Sequence, residues 1–343
     1  MTDRLKIVIP TAGWATRVRP QTWSKPKPLV GVAGRTTLDH LLDTFRSVPS
    51  PETAEYVIIL GPYLGEAQIP PYMKEHYPGY QVHYVLQSVM RGQSDALWQA
   101  RKYLTGPMIM CFSDTLIETD FSCLASEKAD GVAWVKPIPD PRRFGVVELD
   151  KDGWVTRLIE KPASTENNRV AVGCYYFREG RELVSAIEEQ MKRRKSLRGE
   201  YFITDAINIM IEHGLKMRSQ TINIWLDLGT IENTLETNRY LLEHGRDNTK
   251  SIDRKTVKIV PPVYIHESAT IDNSTIGPSV SIGADCIITN SRVEDSILET
   301  GVVVDAAALK GSFIGRQARV QGHSAESSPM VLNIGDNSSV VIK

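Results

Sequence analysis

The sequence predicts an α/β domain built on a mainly parallel sheet flanked by helices, followed by a short parallel β-helix. Three observations carry this. Up to about residue 245, short apolar runs alternate with helical patterns. Beyond Pro261-Pro262 the helical patterns stop and aliphatic residues recur roughly every six positions. Between the two regimes, residues 247–262 are polar, then basic, as an interdomain linker is. With 343 residues the chain has material for two domains, at about 100–200 residues each. Its 40 Lys+Arg, 41 Asp+Glu and 41% hydrophobic residues exclude the disordered, collagenous and disulfide-scaffold classes. A net charge of −1 offers no bulk attraction to nucleic acid or an anionic membrane, and leaves room for a local basic site.

The strands are read from apolar runs at 7–9, 56–60, 82–86, 108–112 and 132–135, with a further strand through Val170-Ala-Val-Gly173-Cys-Tyr-Tyr. Continuous rather than alternating apolar runs point to strands covered on both faces. Leu38-x-x-Leu41-Leu42-x-x-Phe45 and Ala96-Leu97-x-x-Ala100-x-x-x-Leu104 place apolar residues on one helical stripe. Residues 183–191, 203–211 and 231–242 read as helices in the same way. The six-residue period runs through Ile265, Ile271, Ile276, Ile282, Val293, Ile297, Val303, Leu309, Ile314, Ile334 and Val340. Each repeat supplies one short strand whose aliphatic anchor fills a prism. A β-sandwich would instead alternate polar and apolar residues in strands spaced about 8–12 residues apart.

Cys111, Cys123, Cys174 and Cys286 are scattered, without a CxxC pair, and are expected to be reduced thiols, three of them buried. The seven histidines do not cluster into a zinc site. No apolar run approaches the roughly 20 residues that span a bilayer, and the N-terminus lacks a signal-peptide layout. A cytoplasmic protein is expected.

The most informative segment is Ile7-Val-Ile-Pro-Thr-Ala-Gly-Trp-Ala-Thr-Arg-Val-Arg-Pro-Gln-Thr, continuing to Lys25-Pro-Lys-Pro-Leu29. A buried strand runs into a loop of small residues, Ala12, Gly13, Ala15 and Thr16. Such a loop can turn backbone N–H groups toward a polyphosphate, with Arg17 and Lys27 adding charge-assisted contacts. The pattern is neither GxGxxG nor GxxxxGK[ST], which argues against a nicotinamide fingerprint and a P-loop. A carboxylate, Asp114, follows the apolar run 108–112, where open α/β sheets bind ligands.

Residues Pro10 through Thr22, with Pro26-Lys27-Pro28-Leu29, resemble the signature of the sugar-1-phosphate nucleotidylyltransferases, and Ile-Pro-Thr-Ala-Gly resembles its UTP-glucose-1-phosphate branch. Ala15 and Ser113 stand where that family usually has glycine. Five further stretches match in order. Leu86-Gln87 through Gly92 resembles the base-reading segment, where a Gln amide can meet the O4/N3–H edge of uracil or thymine. Trp225-Leu-Asp227-Leu-Gly229-Thr230 matches W-x-D-x-G-T, so the resemblance implies Mg²⁺ shared by Asp114 and Asp227. Asp140-Pro-Arg-Arg-Phe144-Gly145-Val and Glu160-Lys161-Pro162 resemble the sugar-binding stations. Arg198-Gly-Glu200 with Ile203-Thr204-Asp205 resembles R-G-E-x-x-(I/L)-T-D.

The resemblance implies a Rossmann-like mixed sheet in a catalytic domain over 1–246, a linker over 247–262 and a left-handed β-helix over 263–343. It implies the reaction sugar 1-phosphate + NTP → NDP-sugar + pyrophosphate, with dTTP or UTP and glucose 1-phosphate the expected pair. Arg17 and Lys27 are the implied catalytic cations. Ala12, Gly13, Thr16, Gln87 and Gly92 are the implied nucleotide-binding residues. Gly145, Glu160, Lys161, Gly173 and Arg198 are implied for the sugar phosphate. A homo-oligomer is expected, with neither nucleic acid nor membrane as partner. Three rivals stay open: a purine nucleotide (ATP or GTP), an added acyltransferase activity in the β-helix, and a non-catalytic regulatory homologue. His266 and His323 are the histidines of that helix, and at about 18 residues per coil it would hold some four coils.

Overall fold

The structure, a computed structural model, describes residues 4–251 and 257–342; residues 252–256, inside the expected linker, lie outside the described residues, as do 1–3 and 343. The chain divides into two compact units, Met1–Trp14 with Leu41–Trp225, and Ala15–His40 with Leu226–Lys343. The segment carrying Thr16, Arg17 and Lys27 therefore belongs to the same unit as the C-terminal repeats.

The first unit holds a nine-stranded mixed sheet. Its parallel part runs Met108–Cys111, Lys6–Pro10, Glu55–Leu60 and Gln81–Leu86. Its antiparallel part is organised on Arg169–Phe177, which pairs with Gly131–Pro137 along one side and with Met108–Cys111 and, through Val170, Gly145–Leu149 along the other. The continuous apolar runs are covered on both faces: Ile7, Val8, Ile9, Val57, Ile58, Ile59, Met108, Ile109 and Met110 are fully buried. Helices Gly180–Lys192 and Ile203–Glu212 follow from the apolar stripe, burying Leu183, Ala186, Ile187, Ile207 and Met210. Helix Leu64–His76 was not legible, because Pro70 and Pro71 lie inside it and tandem prolines remove two backbone donors from a helix.

In the second unit, residues 257–342 form three parallel sheets of four, five and five short strands, the β-helix expected from the period. Strand Val257–Ile259 lies within the stretch read as linker and opens the first sheet by pairing with Ser274–Ile276. Ile271, Ile288, Val304 and Val320 stack in register, giving coils of 17, 16 and 16 residues. These are shorter than the expected 18 or so because two corners turn on single residues with positive φ, such as Asn273, Asn290 and Ala306 after one strand and Gly277, Asp295 and Gly311 after another. The shorter coil also moves an anchor by one position: Val304 rather than Val303 joins the β-helix core, and Leu298 joins it beside the buried Ile297.

His40 is buried in the second unit, with Nε2 3.0 Å from the Val32 carbonyl. Burial lowers its pKa from 6.5 to about 4, so the folded ring stays neutral at pH values where the unfolded chain already binds a proton. Stability should therefore fall as the pH drops from about 6.5 toward 4, by up to about 1.4 kcal/mol per pH unit. In His40→Gln, urea midpoints measured against pH should lose that part of the acid limb. An unchanged slope would refute the assignment.

Candidate functional site

In the first unit, the loop after strand Lys6–Pro10 is held by Thr11, whose N–H and hydroxyl both donate to the Ile59 carbonyl at 2.8 Å. Ala12 is buried and Gly13 exposed. Gly13 is not forced by its neighbours, since a Cβ there would meet open space. Gly61 is forced: its Cβ would come within 2.7 Å of the Ala12 carbonyl oxygen. Gly61 supports the loop and carried no motif by which to find it.

Gln87 is 3% exposed at the end of strand Gln81–Leu86. Its Nε2 donates to the Gly92 carbonyl at 3.1 Å and to the Asp95 carboxylate at 2.8 Å. Asp95, itself buried, also accepts from Arg91 at 2.8 Å. A carboxylate can only accept, so it settles which face of the Gln87 amide points toward it. Both amide hydrogens are thus engaged, and Oε1 is the atom left for a ligand. This corrects the expectation of an amide that donates and accepts together. Gly92 has φ +101° and lies tight against the Tyr201 backbone, whose N–H donates to the Arg91 carbonyl at 2.8 Å. Its glycine is required by that protein–protein approach.

Asp114 follows strand Met108–Cys111 and is half-buried. Ser113 does not adopt positive φ, so its backbone accepts a serine without strain. Gly173 has φ +84°, and a Cβ on it would run into the Phe112 ring. It sits where the register of Arg169–Phe177 against Gly131–Pro137 shifts, which only a residue without a side chain permits.

The residues of this unit expected to meet the sugar phosphate partly converge. Gly145 leaves room for Glu160, whose Oε2 would be 3.3 Å from a Cβ there. Glu160 also accepts from the Thr204 hydroxyl at 3.4 Å. Burial pushes the Glu160 carboxyl above its usual range, against the opposing pull of Lys161. Lys161 is exposed, holds φ +48°, and sets its ammonium 4.5 Å from the Phe202 ring centroid. Arg198 is exposed at the tip of a turn, where Leu197 and Glu200 exchange backbone hydrogen bonds of 3.0 and 3.1 Å.

In the second unit, Ala15 adopts a left-handed conformation, φ 46° and ψ 42°. The glycine usual at this position is thus replaced where a Cβ costs about 1–2 kcal/mol. Thr22 steadies the loop by donating its hydroxyl to the Ala15 carbonyl at 2.9 Å. Thr16 opens the short helix Thr16–Val18, on which Arg17 is exposed. Lys27 opens the next, Lys27–Leu29. Asp227 is oriented by two donors, the Gly229 N–H at 2.8 Å on Oδ1 and the Asn233 amide at 2.7 Å on Oδ2. A Cβ on Gly229 would fall 2.8 Å from Asp227 Oδ1 and 3.3 Å from an Arg17 guanidinium nitrogen. That spacing explains W-x-D-x-G-T: the glycine lets carboxylate and guanidinium crowd its backbone. Thr230 caps helix Ile231–Leu241 through the Asn233 N–H, which sets Asn233 on Asp227. Asn233 escaped the sequence reading because its role appears only once that helix is capped. The Asp227 carboxylate, like that of Asp114 in the first unit, is a hard oxygen donor of the kind Mg²⁺ takes. In the β-helix, the His266 Nδ1 is engaged by Ser268 of its own turn at 2.9 Å.

The nucleotidyl transferase family model matches residues 6–244, and the GMPPB C-terminal domain model matches residues 259–338. The chain is 31% identical to a glucose-1-phosphate thymidylyltransferase of Streptomyces antibioticus, over 99% of this chain and 100% of that one. It is 30% identical to the bifunctional protein GlmU of Methanocaldococcus jannaschii, over 76% of this chain and 60% of that one. In fold it is similar to a solved UDP-glucose pyrophosphorylase complexed with UDP-glucose, at a TM-score of 0.58 and 16% identity, covering 71% of this chain and 100% of that one.

Proposed function

Since the chain belongs to the nucleotidyl transferase family, we propose that it makes a UDP- or dTDP-sugar from the matching triphosphate and glucose 1-phosphate. Its class of reaction is nucleotidyl transfer to a sugar 1-phosphate. The observation that carries the choice of base is Gln87. With Nε2 engaged by Gly92 and Asp95, Oε1 accepts from a base whose edge presents N–H. The ring N3–H of uracil and thymine does so, whereas adenine and cytosine offer only an exocyclic amino N–H beside a ring nitrogen whose lone pair would oppose Oε1. Guanine N1–H also satisfies Oε1, which makes GTP the second reading. The names of the relatives support glucose 1-phosphate as the acceptor.

The chemistry asked of the side chains is positioning and charge neutralisation. An oxygen of the sugar phosphate attacks the α-phosphorus in line, the bond to the β,γ-pyrophosphate breaks, and pyrophosphate leaves with the electron pair. The small loop Ala12, Gly13 and Thr16 receives the phosphates, and Arg17 and Lys27 offset their charge. Lys161 and Arg198 hold the attacking phosphate against repulsion. Glu160, a carboxylate with its acidity lowered by burial, accepts hydrogen bonds from sugar hydroxyls. Asp114 and Asp227 are the residues that would hold Mg²⁺, which supplies charge neutralisation on the triphosphate oxygens when bound.

The test is a pyrophosphate-release screen of UTP, dTTP, GTP, ATP and CTP against several sugar 1-phosphates. UTP or dTTP should exceed ATP and CTP by at least about 10-fold in kcat/KM, and Gln87→Leu should erase most of that preference, a change of about 1–3 kcal/mol. ATP as the best substrate would overturn the assignment of Gln87.

A further inference from the structure

The loop that carries Arg17 and Lys27 is fastened to the β-helix by buried polar groups that substrate binding does not explain. Lys25 is 1% exposed and ion-paired with Glu299 and, at 3.1 Å, with Asp336. Glu299 also accepts from the Gly31 N–H at 3.0 Å. Asp336 accepts from the Ser24 hydroxyl at 2.6 Å, and from the backbone N–H and Nε of Arg316 at 2.8 and 3.0 Å. Gln21, fully buried, donates to the carbonyls of Phe313 and Ile334 at 3.0 and 3.1 Å.

The position of Glu299 is informative. Ile282, Leu298, Ile314 and Ile334 stack in register through four coils, so the residues that follow them form a column: Gly283, Glu299, Gly315 and Gly335. Two of the glycines are demanded there, because a Cβ on Gly283 would lie 2.8 Å from the Thr300 nitrogen and one on Gly315 2.6 Å from the Asp336 nitrogen, while one on Gly335 would press on Pro20 at 3.1 Å. The one carboxylate in a glycine column is the one that reaches Lys25 and Gly31.

We propose that Lys25, Glu299 and Asp336 are positioning residues for nucleotidyl transfer, through which the β-helix sets the placement of Arg17 and Lys27. The inference rests on the reading that those two cations serve the nucleotide phosphates. A buried ion cluster is a weak source of net stability and a strict source of geometry, and a misplacement of about 1 Å can cost on the order of 100-fold in rate. Lys25 lies two residues from Lys27, just ahead of the short helix Lys27–Leu29 and its N-cap Pro26, so anchoring Lys25 fixes where that helix starts.

The experiment uses the full chain. The triple variant Lys25→Met, Glu299→Gln, Asp336→Asn removes the charges together, so no ion is left buried alone, and Glu299→Asp keeps the charge but withdraws it by one methylene. Each is assayed for kcat, for KM of both substrates and for thermal melting, with rates expressed per folded molecule. The proposal expects kcat to fall at least about 10-fold in the triple variant while the KM for sugar 1-phosphate is unchanged. Glu299→Asp should show a smaller loss in the same parameter, and Lys27→Ala should cost much less in the triple background than in the wild type. A wild-type kcat per folded molecule would overturn the proposal. Complete loss of the fold in both variants would assign the cluster to folding alone and overturn it as well. Arg17→Ala and Lys27→Ala in the wild type separate the two ideas: activity retained in them defeats the underlying reading. Activity lost in them but kept in the triple variant defeats the positioning role alone.

Discussion

Asp227→Ala should lower metal-dependent kcat by about 10³-fold or more. Charge neutralisation on a triphosphate is worth several kcal/mol, and each 1.36 kcal/mol is a factor of ten in rate. The carboxylate is also the acceptor for the Gly229 N–H and the Asn233 amide, so its removal frees the backbone beside Arg17. Asn233→Ala separates these effects. It keeps the carboxylate and loosens one of its two orienting donors, and should weaken Mg²⁺ binding by about 10–100-fold with a smaller loss at saturating metal. A Mg²⁺ titration of pyrophosphate release reads both. Near wild-type turnover in Asp227→Ala would sink the metal assignment.

Lys25→Met should destabilise the protein by about 3–5 kcal/mol at neutral pH, the usual result of removing one partner from a buried ion cluster. The reason lies with the group left behind. Glu299 is buried, and that burial pushes its carboxyl upward against the opposing pull of Lys25. Without the ammonium it remains an uncompensated charge until it takes up a proton. A carboxyl with a raised folded pKa is relieved as the pH falls, so the gap between variant and wild type should narrow on acidification. Denaturant midpoints at several pH values measure this. A loss under about 1 kcal/mol at neutral pH, or a gap that widens in acid, would contradict the account.

Much of the fold was legible because it depends on local patterning. Runs such as 7–9 and 108–112 are apolar on both faces, and a doubly covered sheet follows from that alone. The β-helix followed from its period, although Val303 was read as an anchor where Val304 is buried, since a single-residue corner shortens the coil. The candidate site residues were named where function limits chemistry: a carboxylate at Asp227, cations at Arg17 and Lys27, an amide at Gln87. What escaped were the residues that support them. Asn233, Gly61 and Asp95 act through partners that become neighbours only when the chain folds.

The same division applies to charge. Composition is balanced, 40 basic against 41 acidic residues, and the motifs propose which cations would face phosphate. They could not indicate that Lys25, two residues from Lys27, turns inward to Glu299 and Asp336, because those partners are more than 270 positions away and meet it through the stacking of coils. The sequence by itself determined the two architectures and proposed the candidate site groups, since periodicity and residue type are local properties. The tertiary structure alone decided the compact unit to which the loop carrying Arg17 and Lys27 belongs, because burial and ion pairing depend on distances that no spacing along the chain encodes.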